Sequence, residues 1–336
     1  MSEPLLEVRD LTVHFPTQDG LVKAVDGVSF TVGRRETLGV VGESGSGKSV
    51  TFLTVMGLIT RKHARISGEI IFQGEDLLKL GDDGLRAIRG AKIAMIFQDP
   101  LTALNPVHKV GKQITEALHA HREVSQDDAW AVAVDLLRRV GIPRPEERAH
   151  QYPHEFSGGM RQRAMIAMAL VLRPDILIAD EPTTALDVTV QAQILELIDG
   201  LKEEFETAVV MVTHDLGVVA EYADEVQVMY AGKIVESGTL QHIYYGSLHP
   251  YTWGLMQSIS RLDEDVDRLR PIKGSPPSLI DVPSGCAFYP RCPYRFEPCD
   301  KEIPRLVEEE MGHLDACYLP LEEKKRVFAS EVATKA

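Results

Sequence analysis

Three glycines and a lysine set between two apolar runs limit what this chain can fold into. The octapeptide Gly42-Glu43-Ser44-Gly45-Ser46-Gly47-Lys48-Ser49 follows Leu38-Gly39-Val40-Val41 and precedes Val50 to Ile59, a segment long enough for a helix. A strand, a glycine-rich loop and a helix in that order are the context that the phosphate-loop pattern G-x-x-x-x-G-K-S requires. Gly42, Gly45 and Gly47 let the backbone fold so that its N–H groups point inward, and the helix beginning near Lys48 adds its positive dipole end. Lys48 is expected to reach the β- and γ-phosphates of a nucleoside triphosphate, and the Ser49 hydroxyl to ligate the accompanying magnesium. The candidate nucleotide-binding set in this loop is therefore Gly42, Ser44, Gly45, Ser46, Gly47, Lys48 and Ser49.

At 336 residues the chain has room for one large domain and a smaller one. Its formal charge of −14 disfavours a broad footprint on a phosphate backbone, so nucleic acid is not expected as a partner. The start, Met1-Ser2-Glu3-Pro4, lacks the basic and apolar regions of a signal peptide. No apolar run approaches the roughly eighteen residues of a membrane span, and Ala164 to Leu172 is too short. A cytosolic chain is expected, able to sit on a membrane only through a partner.

Upstream of the loop, Leu6 to Arg9 and Val25 to Val32 alternate apolar and polar around a turn-rich Pro16 to Gly20, which reads as antiparallel strands. Phe15, at the start of that turn, is either a half-buried strand aromatic or a ring that stacks on adenine. Downstream, Ser67 to Phe72 and Ile93 to Phe97 read as strands, the second ending in Gln98-Asp99-Pro100. A glutamine there is placed to reach the magnesium and the attacking water. Residues 101–172 turn helical, with Ile114 to His121 and Ala129 to Val140 as candidates. That stretch holds Phe156-Ser157-Gly158-Gly159-Met160, in which Ser157 and Gly159 form either a second anion nest or a plain helix cap.

Next, Ile176-Leu177-Ile178-Ala179 leads into Asp180-Glu181, a buried parallel strand delivering carboxylates at its C-terminal end. Asp180 is expected to hold magnesium and Glu181 to polarise the attacking water. Ala208 to Val212 ends in Thr213-His214, which brings a histidine to the same kind of strand end, able to donate a hydrogen bond to a γ-phosphate. Val226 to Tyr230 and Lys233 to Glu236 read as a closing hairpin, and the tail beyond is proline-rich at 271–298, then acidic and helix-prone.

All four cysteines, Cys286, Cys292, Cys299 and Cys317, lie in that tail. Their separations do not match the paired C-x-x-C of a zinc ribbon, and prolines 290, 293 and 298 break any helix between them. An iron–sulfur cluster, zinc and uncoordinated thiols are the three readings open to them.

Taken together and in order, these motifs resemble the nucleotide-binding domain of ATP-binding cassette (ABC) proteins. Within that superfamily, Phe97 to Pro106, Phe156 to Arg163, His249-Pro250-Tyr251-Thr252 and Gly285-Cys286 resemble the D-type ATPase subunit of dipeptide and oligopeptide importers. The resemblance implies an α/β P-loop NTPase core with an antiparallel β subdomain and an inserted helical subdomain at about 101–172. It places the cassette at 1–260 and a small metal-binding extension at 261–336, with Ala185-Leu186-Asp187 as the D-loop. It implies ATP and Mg2+ as ligands, with Gln98, Glu181 and His214 catalytic and Asp180 on the metal. Ser157 and Gly159 would serve the ATP of a partner, and Cys286, Cys292, Cys299 and Cys317 would hold a [4Fe–4S] cluster.

It also implies a head-to-tail pair with a second ATPase of F type, two transmembrane permeases docked on the helical insert, and an extracytoplasmic substrate-binding protein. The location implied is the cytoplasmic face of the inner membrane. One departure stands out, since Phe156 and Met160 replace the ends of the usual Leu-Ser-Gly-Gly-Gln. That variant is typical of D-type subunits, which favours a heterodimer over a homodimer. A related importer of nickel or another small solute, a soluble ABC ATPase of DNA repair or translation, and a binding module without turnover are the competing readings.

Overall fold

The computed structural model describes residues 3–184, 186–258 and 272–333. Two compact units divide them, one from the described residues of Met1–Val32, Glu36–Leu78 and Met211–Ala336, the other from Gly33–Arg35 and Lys79–Val210. Ala185 of the expected D-loop, and the expected boundary at 260, lie outside the described residues.

In the first unit, β1 (Leu6–Thr17), β2 (Gly20–Val32), β4 (Arg65–Phe72) and β5 (Glu75–Asp76) form an antiparallel sheet in the order β2-β1-β4-β5. Period-two burial drives it: Leu6, Val8, Leu11 and Val13 go inside while the residues between them stay wetter. The strands run further than the alternation suggested, because Pro16 and Thr17 still pair with Leu21 and Gly20. Phe15 therefore sits within β1 opposite Val22, half-buried, rather than at the start of the turn.

The same unit holds β3 (Thr37–Val41), parallel to β9 (Glu225–Tyr230), which pairs antiparallel with β10 (Lys233–Thr239). Every residue of β3 is buried, as a strand covered on both faces demands. Beyond β10 the expectation of a helical tail is corrected. Val307–Glu310 is β11 and His313–Asp315 is β12, and β12 pairs with β10 through Glu236 and Asp315. Only then does α12 (Leu321–Val327) begin, its Lys324 and Lys325 reaching back to Glu309 and Glu310 at 2.9 and 2.7 Å. Those cross-element pairs let glutamates that favour a helix lie in a strand. Helices α1 (Lys48–Val55), α9 (Leu216–Tyr222), α10 (Leu240–Gly246) and α11 (Pro250–Gln257) complete the unit.

In the second unit, β6 (Ile93–Ile96) pairs in parallel with β7 (Ile176–Asp180). Between them come α3 (Pro100–Ala103), α4 (Val110–His121), α5 (Gln126–Arg139), α6 (Pro145–Arg148) and α7 (Gly158–Leu170). α2 (Asp82–Ile88) precedes β6, and α8 (Val188–Phe205) follows β7. The chain then enters β8 (Ala208–Thr213), buried throughout. Ser125 caps α5 by accepting from Asp128 N, and Arg163 of α7 donates to the Val140 carbonyl at 2.7 Å, closing the far end of that helix. No helix among the described residues is long and apolar enough to cross a membrane.

Candidate functional site

The loop after β3 has the geometry its glycines predicted. Gly42, Gly45 and Gly47 have φ of 154°, 79° and 105°. At Gly47 a side chain is excluded twice over, by the left-handed backbone and because a Cβ would stand 2.3 Å from the Ala24 carbonyl oxygen. Gly47 leads directly into α1, and no side chain caps that helix start. Lys48 is 4% exposed, and its Nζ donates to the Gly42 carbonyl at 2.6 Å and the Glu43 carbonyl at 3.1 Å. The ammonium is thus turned into the loop, where a phosphate would compete for its donors. Ser46 is buried, Ser49 half-buried and Ser44 exposed. His214 of this unit follows β8 and is exposed, with Asp215 behind it capping α9 through Gly217 N at 2.8 Å.

In the second unit, Asp180 ends β7 and is 7% exposed. Glu181, next in the chain, has φ 46°, a conformation that costs a non-glycine residue of order 1–3 kcal/mol and gathers at functional positions. Its Oε2 accepts from Gln98 Nε2 at 2.8 Å and from Thr184 Oγ1 at 2.9 Å. Gln98 and Glu181, 83 positions apart, are brought together, which orients the carboxylate that the sequence singled out. Thr184 was not anticipated; it stands three residues past the carboxylate it serves.

Ser157 caps α7 by accepting from Met160 N at 3.3 Å, with Gly159 half-buried behind it. The hydroxyl is exposed, so the cap and an anion nest are compatible. Phe156 is 2% exposed and fills the core under the cap, as the leucine of the usual signature would by its apolar character.

The four cysteines, all free, line a single cavity with His249, Phe288, Tyr289, Tyr294 and Leu319 among its other walls. Burial pushes the Cys292 thiol up to about 12 and raises those of Cys286 and Cys317, with neighbouring thiols reinforcing the shift. The expected metal-binding extension is not supported as such. Among the described residues no group of three His, Cys, Asp or Glu side chains is arranged to hold a metal ion. What the fold supplies is a buried pocket with four sulfurs around it.

Two groups that motif reading missed touch the phosphate loop. Glu43 N donates to the Tyr251 hydroxyl at 2.7 Å, and Arg291 donates to both carboxylate oxygens of Glu43, at 2.6 and 2.9 Å. Tyr251 belongs to the His-Pro-Tyr-Thr stretch, whose signal was visible without its meaning.

A strand-loop-helix phosphate nest and a carboxylate strand end with a glutamine on it define the class, a P-loop ATPase of the cassette type. Family comparison agrees: the ABC transporter family matches residues 25–184, and the oligopeptide/dipeptide transporter C-terminal region matches residues 235–299. The oligopeptide transport ATP-binding protein OppD of Haemophilus influenzae is 51% identical, over 95% of this chain and 98% of its own. The dipeptide transport ATP-binding protein DppD of Bacillus subtilis is 52% identical, over 94% of this chain and 95% of its own. Among solved structures, the ATP-binding cassette MJ0796, a post-hydrolysis dimer bound to ADP and Pi, superposes with a TM-score of 0.63 at 27% identity. It covers 70% of this chain and 98% of its own. The chain belongs to the family of ATP-binding subunits of oligopeptide and dipeptide ABC transporters, and it is an ATPase.

Proposed function

We propose that this chain drives peptide import by hydrolysing ATP in a head-to-tail pair with a second ATPase of F type, on two separate permeases fed by an extracytoplasmic binding protein. The observation that carries this reading is the near full-length match to peptide-transport subunits, which includes the C-terminal region and not the cassette alone. The dimeric post-hydrolysis form of MJ0796 supports a paired mode of action. The chain would sit peripherally on the cytoplasmic face of the inner membrane, held there by its permeases.

Lys48 would neutralise the β- and γ-phosphates, with the N–H groups of Gly42 to Ser49 closing around them, while Ser49, Asp180 and Gln98 would hold the magnesium. Glu181, oriented by Gln98 and Thr184, would align the attacking water, and His214 would donate to the γ-phosphate. Phe15 would stack on the adenine. Ser157 and Gly159 would meet the ATP bound by the partner, so hydrolysis removes the group that bridges two chains and the pair opens.

We assign the cysteine cavity to a [4Fe–4S] cluster in preference to zinc. Four free thiols line one pocket, and ligation by four cysteines on backbone broken by prolines is the donor set such a cluster takes. Such a group would supply iron–sulfur bonds that clamp the tail, and Cys286→Ser should remove iron and its visible absorption while sparing hydrolysis. The decisive test of the main reading is Glu181→Gln. It should bind ATP normally and lose at least a hundredfold in turnover, and near-normal turnover would remove Glu181 from its role. ATPase activity that fails to rise on reconstitution with the permeases and the second ATPase would refute the importer assignment.

A further inference from the structure

We infer that Arg291 and Tyr251 are positioning residues for the phosphate loop, so that the wall of the thiol cavity sets how well this chain binds MgATP. The inference rests on ATP binding at the loop and goes beyond it by tying nucleotide affinity to the C-terminal region.

Glu43 is the second residue of the loop, an anion placed where a triphosphate must dock. Alone it would repel the ligand. Arg291 takes its carboxylate in a two-point fork, and the arginine side chain is 4% exposed against 27% for Glu43, so the glutamate is held from the protein side. The guanidinium is itself fixed: Nε donates to the Lys273 carbonyl at 3.1 Å, Nη2 to the Ile272 carbonyl at 3.3 Å, and Nη1 to the Tyr230 hydroxyl at 3.3 Å. The loop backbone is caught at the same residue, since Tyr251, fully buried against Tyr230 and Phe288, accepts the Glu43 N–H.

Both holding residues connect to the cavity. Arg291 ends the short 3₁₀ turn Tyr289–Arg291, which lies between Cys286 and Cys292 and is closed by Tyr289 N to the Cys286 carbonyl at 3.0 Å and Cys292 N to the Tyr289 carbonyl at 3.3 Å. Tyr289, Cys292 and Phe288 are walls of the cavity. A shift of that turn moves the fork, and with it the charge beside the phosphate site.

The test is MgATP affinity of the purified full-length chain by calorimetry, with Lys48→Ala as the reference for loss of the loop itself. Arg291→Gln leaves Glu43 uncompensated and should weaken binding about tenfold. Glu43→Gln in that background should recover most of the loss, because the repelling charge is gone. A merely structural Arg291 predicts no such rescue. Tyr251→Phe, which keeps the ring and loses the acceptor, should weaken binding about threefold. Hydrogen exchange across 286–299 should slow when MgATP binds wild type and not when it binds Arg291→Gln, as linkage requires. Affinity within twofold of wild type in Arg291→Gln, or absence of rescue by Glu43→Gln, overturns the inference. Should Arg291→Gln fail to fold, wild-type affinity in Tyr251→Phe overturns it alone. If Lys48→Ala binds ATP normally, it is the ATP-site assignment that fails.

Discussion

Glu236→Gln should be among the most damaging single-atom changes available to this chain. Glu236 is fully buried on β10, and its two oxygens accept four hydrogen bonds. Oε1 takes Leu248 N at 2.5 Å and His313 Nε2 at 2.9 Å, and Oε2 takes His249 N at 3.2 Å and the Thr252 hydroxyl. One carboxylate thereby joins β10 to β12, through His313, and to the start of α11. An amide keeps the shape and turns one acceptor into a donor. Whichever way it is flipped, at least one buried backbone N–H, of Leu248 or of His249, loses its partner, at about 1–3 kcal/mol, and the bonds that remain lose their charge assistance, about 1 kcal/mol more. A loss near 3 kcal/mol corresponds to roughly 6–12 °C in melting temperature. The assay can be made local, because the chain has two tryptophans and Trp253 lies in α11. In a Trp130→Phe background, Trp253 fluorescence reports the unit that contains Glu236. A shift below about 3 °C would mean that the four bonds do not carry the joint, and the reasoning would fail.

Other outcomes follow from the same geometry. Gly47→Ala forces a β-carbon against the Ala24 carbonyl at a φ of 105°, about 3 kcal/mol of combined strain and overpacking, so MgATP affinity should drop about a hundredfold in a titration with the chain still folded. His249 is buried, and desolvation with help from Lys324 pushes its imidazole down to about 3 from 6.5. The unfolded chain therefore binds the extra proton first, and this histidine's contribution, full above pH 6.5, is lost as pH falls toward 3. The stability difference between wild type and His249→Asn should narrow by about 2 kcal/mol between pH 7 and pH 5, and a constant difference in urea melts would contradict this. Phe156→Leu should cost under about 1.5 kcal/mol and preserve turnover, whereas Phe156→Ala should cost about 3–5 kcal/mol in the same melts.

The phosphate loop, the carboxylate strand end and the strands around them were legible because each residue there obeys a local rule. Val41 must be buried, Gly47 must have no side chain, and Lys48 must follow it. The cysteines were legible as a group, and their convergence on one cavity was not, since spacing on irregular backbone does not define distance. Glu236 was invisible for a different reason. An acid at the end of a hairpin strand reads as solvated, and it becomes a hub only through Leu248, His249 and Thr252 beyond the hairpin and His313, 77 positions away. Arg291 and Glu43 are 248 positions apart, beyond any periodic signal. Glu308, Glu309 and Glu310 misled outright, because helix propensity is a weak prior once lysines from another element hold the chain extended.

That acidic strand has one more consequence. β11 lies at the end of the strand order β11-β12-β10-β9, which leaves its outer backbone groups open to any passing extended chain. Such a border invites self-association, and a cell that makes many copies of an ATPase must prevent it. Of the four residues of β11, Val307-Glu308-Glu309-Glu310, three are acidic, and Glu309 and Glu310 hold Lys324 and Lys325 beside them, so a second copy approaching border to border meets charged side chains in place of an apolar strand it could zip onto. Read this way, the glutamates that obscured the strand from sequence are also what keeps it solitary.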